Sequence, residues 1–208
     1  MKHLNLSLLA ILMMTFLYSH AQTIVGSKHD FSTASWNNSV GHQICIVCHT
    51  PHNANTLITD APLWNHATSA VTNYNLYTSS TLTATMNQPD ASSKLCLSCH
   101  DGTVAIENFG TITNGSTYIT GTPLIGSDLK NDHPVSFTYD ATLASADGHL
   151  FNPASTASGL GGTINDKMLF SGKLQCASCH DVHNSAGVAR LLKKENASSA
   201  LCLTCRNK

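Results

Sequence analysis

The sequence predicts mostly irregular coil with short helices, a chain organised around bound groups rather than around its own side chains. Three observations predict it. All eight cysteines fall into four C-x-x-C pairs. Of 208 residues only 6% are aromatic and 11% charged, against about 25% charged in an ordinary soluble domain. The stretches between the pairs are rich in Gly, Thr, Ser and Asn and show no sustained helical period. The length suits one domain or two small ones. With 11 Lys+Arg against 12 Asp+Glu, a formal charge of -1 excludes a strongly basic nucleic-acid binder and an acidic tail protein. The 12 histidines outnumber all lysines and arginines together.

Residues 1–21 read as a secretory signal peptide. Lys2 and His3 give a basic start, Leu8 to Tyr18 an apolar run of 11, and Ser19-His20-Ala21 small residues at the two positions a peptidase inspects. A run of 11 is too short to span a bilayer, and no later segment is apolar enough. The expectation is an exported chain of residues 22–208 with no membrane span. Without Lys2 it carries ten basic against twelve acidic residues, a net charge of -2. Export permits disulfides, but a disulfide framework would scatter its cysteines, and these keep one spacing.

The pairs are Cys45/Cys48, Cys96/Cys99, Cys176/Cys179 and Cys202/Cys205. Histidine follows three of them, at His49, His100 and His180; Arg206 follows the fourth. C-x-x-C-H is the attachment signature of haem c. Two thiols three residues apart lie on one face of a helical turn, where each can form a thioether to a porphyrin vinyl group. The histidine beside them reaches the iron as proximal ligand. A zinc ribbon, or a disulfide or thioredoxin-like site, gives no reason for a histidine to follow three times.

CIVCHTPHN and CASCHDVHN share C-x-x-C-H-x-x-H-N, while SSKLCLSCH and SSALCLTCR share S-S-x-L-C-L-x-C. The order A, B, A, B suggests a doubled two-haem unit, with halves of roughly 22–109 and 110–208. Spacings of 51 and 26 residues between the first cysteines of A and B rule out a stacked solenoid. Arginine stays protonated and offers iron no lone pair. Three haems therefore follow from the motifs, and Arg206 leaves open whether Cys202 and Cys205 hold a fourth or close a disulfide.

Each six-coordinate haem needs a second ligand. Residues 22–208 hold seven histidines outside the motifs: His29, His42, His52, His66, His133, His149 and His183. His52 and His183 sit three residues after a proximal histidine. On a continuing helix they project on nearly the same face and reach the iron of an adjacent haem. His133 precedes a proline, which keeps it extended, as suits a ligand on a loop. His29, near the start of the exported chain, has the freedom to reach a neighbouring haem or subunit. His42, three residues before Cys45, is either a ligand or a lining residue; His66 and His149 read as surface or packing residues. Elsewhere Thr111 to Thr120 suggests a small hairpin and Gly187 to Lys194 a helical stretch. Haems, as large apolar plates, would serve as the core such a composition lacks.

The runs CIVCHTPHNAN, APLWNHA, SSKLCLSCHDGTVAIENFG, NDHPVSF, CASCHDVHN and LCLTC resemble multihaem c-type cytochromes, in particular the four-haem subunits of extracellular cytochrome filaments. The resemblance covers most of residues 22–208; its haem motifs are specific and the connecting runs supporting. It implies a single multihaem cytochrome domain with haems as the core and all haems bis-histidine ligated. His49, His100 and His180 would be proximal, His29, His52, His133 and His183 distal, and one histidine, such as His29, would pass to the next subunit. Arg206 departs from the pattern. The expected function is electron carriage without substrate chemistry, in a polymerising filament that exchanges electrons with other redox proteins or extracellular acceptors. The alternatives are a monomeric periplasmic shuttle and a multihaem reductase with one open haem.

Overall fold

The structure is a computed structural model that describes residues 24–58 and 60–207, so the signal-peptide reading of residues 1–21 lies outside the described residues. The described residues are mostly coil, with a few short helices and one two-stranded sheet, consistent with a cytochrome-like irregular fold. No helix among the described residues is long and apolar enough to cross a membrane.

The N-terminal segment is a series of tight turns. Asp30 accepts from the backbone N–H of Gly26 and from both the N–H and the hydroxyl of Ser32, so one carboxylate satisfies the turn that carries His29. Phe31 lies 5.6 Å from Trp36, and Trp36 lies 6.2 Å from Phe109, ring centre to ring centre. This aromatic run pins the segment to the rest of the molecule. A 3-10 turn spans Ser35–Val40 and a second spans Cys45–Val47.

Helix α1, Ala91–His100, is the longest regular element among the described residues and carries the second cysteine pair. Its buried Ser93 and Ser98 are small enough to let neighbours approach closely. Ser93 donates to Gln175 Oε1 at 2.5 Å and accepts the Cys176 N–H at 3.0 Å. Strand β1, Phe137–Thr138, pairs antiparallel with β2, Lys173–Leu174, with Phe137 opposite Leu174. Between them lie α2, Ala141–Asp147, capped by the Asp140 carboxylate, and α3, Ile164–Met168, opened by a Thr163/Asp166 capping box. Helix α4, Cys176–Cys179, is a single turn packed against α1, so a motif of the first half touches one of the second. Short 3-10 turns at Ala189–Leu191, Ala197–Ser199 and Cys202–Thr204 complete the chain.

The apolar core sits in the second half: Phe137, Tyr139, Ala144, Ile164, Met168, Leu169, Leu174 and Leu201. A smaller cluster joins Tyr74 and Leu97 of the first half to Leu129. Two expected elements are absent from their places. Residues 111–120 form no hairpin, because the Glu107 carboxylate takes the N–H groups of Ser116 and Thr117 and the Thr117 carbonyl bonds Ile106. Residues 187–194 hold only one 3-10 turn, with Arg190 at φ 61, because this stretch is drawn into pairing beside Cys179 and His180.

Candidate functional site

Each cysteine pair rides on one helical turn, and all eight thiols are free. Cys45 and Cys202, the first of their pairs, are exposed, and the other six are part-buried. Burial pushes the Cys48 and Cys205 thiols up to about 11 and Cys99 to about 12, so these sulfurs are neutral. The Cys96 and Cys176 thiols hydrogen-bond each other, which raises Cys96 and lowers Cys176. That contact puts the second and third attachment turns side by side. Cys179 similarly lies near Cys202 and Cys205.

The three motif histidines share one local construction. At each, Nδ1 donates to a backbone carbonyl: His49 to Pro62 at 2.6 Å, His100 to Pro123 at 2.8 Å and His180 to Arg190 at 3.0 Å. A donated Nδ1–H fixes the tautomer and leaves the Nε2 lone pair for a metal. The carbonyl comes from a segment that also pairs with the backbone at the motif. At His49 the N–H of Asn65 bonds the Cys48 carbonyl and that of Thr50 bonds the Leu63 carbonyl, each at 2.9 Å. At His180 the N–H of Lys193 bonds the Cys179 carbonyl at 2.9 Å and that of Asp181 bonds the Leu191 carbonyl at 2.7 Å. His100 instead accepts at its own carbonyl from Ile125 and Gly126.

Two further histidines stand opposite these. The ring centres of His49 and His183 are 6.1 Å apart with planes 19° from parallel, and those of His29 and His100 are also 6.1 Å apart, inclined at 53°. Two imidazoles sharing one iron through bonds of about 2 Å each would have centres about 6 Å apart. The pairs therefore fit axial ligation of a haem. Among the described residues no three or more His, Cys, Asp or Glu converge as on a bare ion. His29 suits the role in its charge state too: burial, then His100, then His180, push its pKa down to about 4, and its buried Nδ1 has no hydrogen-bond partner.

The remaining histidines are placed differently. His52 is exposed in the turn after His49, with its backbone tied to the Thr50 hydroxyl. His133 is exposed, Nδ1 on the Pro134 carbonyl at 2.9 Å, and His42 is exposed with Nδ1 on the Ser32 carbonyl at 2.5 Å. No second imidazole lies against these three among the described residues. His66 is buried and committed to the backbone, Nδ1 at 2.7 Å from the Ala67 carbonyl and Nε2 at 3.1 Å from that of Ala105. His149 is exposed beside Asn207. The helix does not continue past the motifs as expected for His52 and His183: His180 is extended, at φ -102 and ψ 144, because it pairs with Leu192. His183 reaches His49 from a turn instead, held where Asp181 accepts the N–H groups of His183 and Ser185. His29 faces His100 of its own chain.

The carbonyls that orient the three motif histidines escape a reading based on side chains. Their signal is a short run after each motif, Pro62-Leu63-Trp64, Pro123-Leu124-Ile125 and Arg190-Leu191-Leu192, at 13, 23 and 10 residues from the histidine it serves.

A search of curated proteins finds no match for the chain. The doubled CXXCH motif family matches residues 168–207, which include Cys176, Cys179, His180, Cys202, Cys205 and Arg206. That segment is similar to a paired haem-attachment module, and together with the repeated motif it supports a multihaem c-type cytochrome carrying covalently bound haem c.

Proposed function

We propose that this chain is an exported electron carrier whose haems at the three C-x-x-C-H motifs are ligated by two histidines each, and that it polymerises into an extracellular filament. The observation that carries the reading is the pairing of His49 with His183 and of His29 with His100 at 6.1 Å, each motif histidine oriented by a backbone carbonyl. Bound haem c supplies a one-electron iron couple. The chain's own part is to fix the imidazoles, to hold the thiols and to bring the sites close together. The contact of Cys96 with Cys176 and the packing of α1 on α4 support short distances between centres of the two halves. Ligation by two imidazoles leaves no position for a substrate, which favours carriage over catalysis.

Export rests on the signal-peptide reading of residues 1–21. Polymerisation rests on the resemblance to filament subunits and on exposed histidines without an imidazole opposite, His52 and His133, available to a neighbouring subunit. The test is the mass of the purified secreted protein with electron microscopy of the same fraction. A chain from Gln22 carrying a whole number of haems, in filaments, is the expected result. Haem-loaded monomers would leave a soluble periplasmic shuttle, and a chain without haem would overturn the reading.

A further inference from the structure

The fourth cysteine pair is built like the first. The 3-10 turn Cys45–Val47 is entered through Ile44 at φ -72, ψ -43 and left through Cys48 at φ -103, ψ -31. The turn Cys202–Thr204 is entered through Leu201 at φ -69, ψ -45 and left through Cys205 at φ -100, ψ -19. In both, the second cysteine N–H bonds the carbonyl of the first, at 3.1 and 3.2 Å, and the first thiol is exposed while the second is part-buried.

The backbone clamp is repeated as well. The N–H of Phe151 bonds the Cys205 carbonyl at 2.9 Å, that of Asn207 bonds the His149 carbonyl at 3.0 Å, and Arg206 pairs with Leu150. These are the bonds that pair His49 with Trp64 and His180 with Leu192. In both of those sites the carbonyl holding Nδ1 belongs to the residue two before the pairing partner, Pro62 or Arg190. The same register at position 206 points to the carbonyl of Gly148. Here the clamp precedes its motif in the chain, whereas at the other three it follows. Buried Tyr139 secures it, donating to the carbonyls of Phe151 and Cys205 at 2.6 and 2.9 Å.

We infer that Cys202 and Cys205 hold a haem whose proximal position is open because Arg206 stands where the fold places an imidazole, making this the site at which the protein binds a small exogenous ligand such as carbon monoxide. The inference rests on the haem reading of the other three pairs. Attachment is an addition: each S–H adds across a vinyl C=C, sulfur to one carbon and hydrogen to the other, the π pair being used in the new bonds. No atom or electron is lost, and the mass rises by one whole haem. A guanidinium has no lone pair for the iron and stays charged, so the open position persists at every working pH.

The experiment compares the native full chain with Arg206→His and Arg206→Gln. Intact mass gives the haem count, and the optical difference spectrum of the reduced protein with carbon monoxide gives the number of ligand-accepting haems. The expected result is four haems and one carbon-monoxide-reactive haem in the native protein. Arg206→Gln keeps that haem reactive with an unchanged spectrum, and Arg206→His, which supplies one imidazole and leaves the opposite face open, keeps the haem count and shifts the Soret band of its carbon monoxide complex. Three haems in the native protein, or four with none reactive, overturns this inference while leaving the proposed function standing. No haem at all overturns both.

Discussion

The two halves of the molecule are held together by different physics. In residues 137–201 eight apolar side chains from β1, α2, α3, β2 and the last turns converge in one cluster. Around residues 74–129 the comparable cluster has three members, and polar networks knit the loops around it. Asp101 accepts from Tyr74 Oη at 2.6 Å, from the N–H and hydroxyl of Thr103 at 2.9 and 2.8 Å, and from Ser69. Glu107 gathers Ser116 and Thr117 in the same way. A sequence with few aromatics can complete one apolar core but not two. The first half therefore leans on charge-assisted hydrogen bonds and on whatever its thiols and imidazoles hold.

The largest effect expected from this difference is on the haem-free chain. Expressed without haem attachment, residues 24–130 should lose protection from amide exchange and proteolysis while residues 135–205 keep it, by about tenfold or more in exchange. Equal protection in both halves would erase the distinction. Next in size is Met168→Ala, which empties a fully buried position in the larger cluster and should cost about 2–5 kcal/mol, read as a shift of the urea midpoint. Leu129→Ala in the three-member cluster should sit at the low end of that range, and the reverse ranking would contradict the assignment of cores.

The smallest effect concerns Asp101. Burial pushes its carboxyl up, but the hydrogen bonds from Ser69, Tyr74 and Thr103 outweigh it and hold the pKa below the ordinary value of 3.8. Its folded pKa lies below its unfolded one, so its stabilisation is present above about pH 4 and is lost as pH falls through the folded value. Asp101→Asn should cost about 1–3 kcal/mol near neutral pH and flatten the acid limb of stability below about pH 5, measured by urea unfolding as the pH is lowered. An unchanged acid limb would remove Asp101 from the network.

The attachment motifs were fully legible, because a covalent spacing is local: Cys, two residues, Cys, His needs one turn of backbone and nothing else. The distal partners were legible only as a set of seven histidines. His183 was singled out for an adjacent haem, and its ring does lie beside His49, but it gets there from an Asx turn and not along a helix. The sequence leaves His29 free to reach a neighbouring haem or subunit, and the aromatic run Phe31, Trp36, Phe109 sets its segment against the fold, with its ring against His100. The two kinds of motif read from the sequence also divide differently in space. SSALCLTCR resembles SSKLCLSCH, yet Ser198 and Ser199 are left-handed, at φ 52 and 63, and break the helix that α1 makes from the same pattern. The last pair therefore folds as the first pair does.

By itself the sequence determined the four cysteine pairs, the haem c chemistry that the C-x-x-C-H spacing indicates and the shortage of core material, since each follows from composition or from contacts within a few residues. Only the tertiary structure decided which imidazoles face each other and which carbonyls orient them. Those contacts join residues 10 to 134 positions apart through coil, where no periodicity marks the partner. The clamp at Arg206 shows the reason most plainly. There Arg206 pairs with Leu150, 56 positions upstream, and nothing local to Leu150 announces that role.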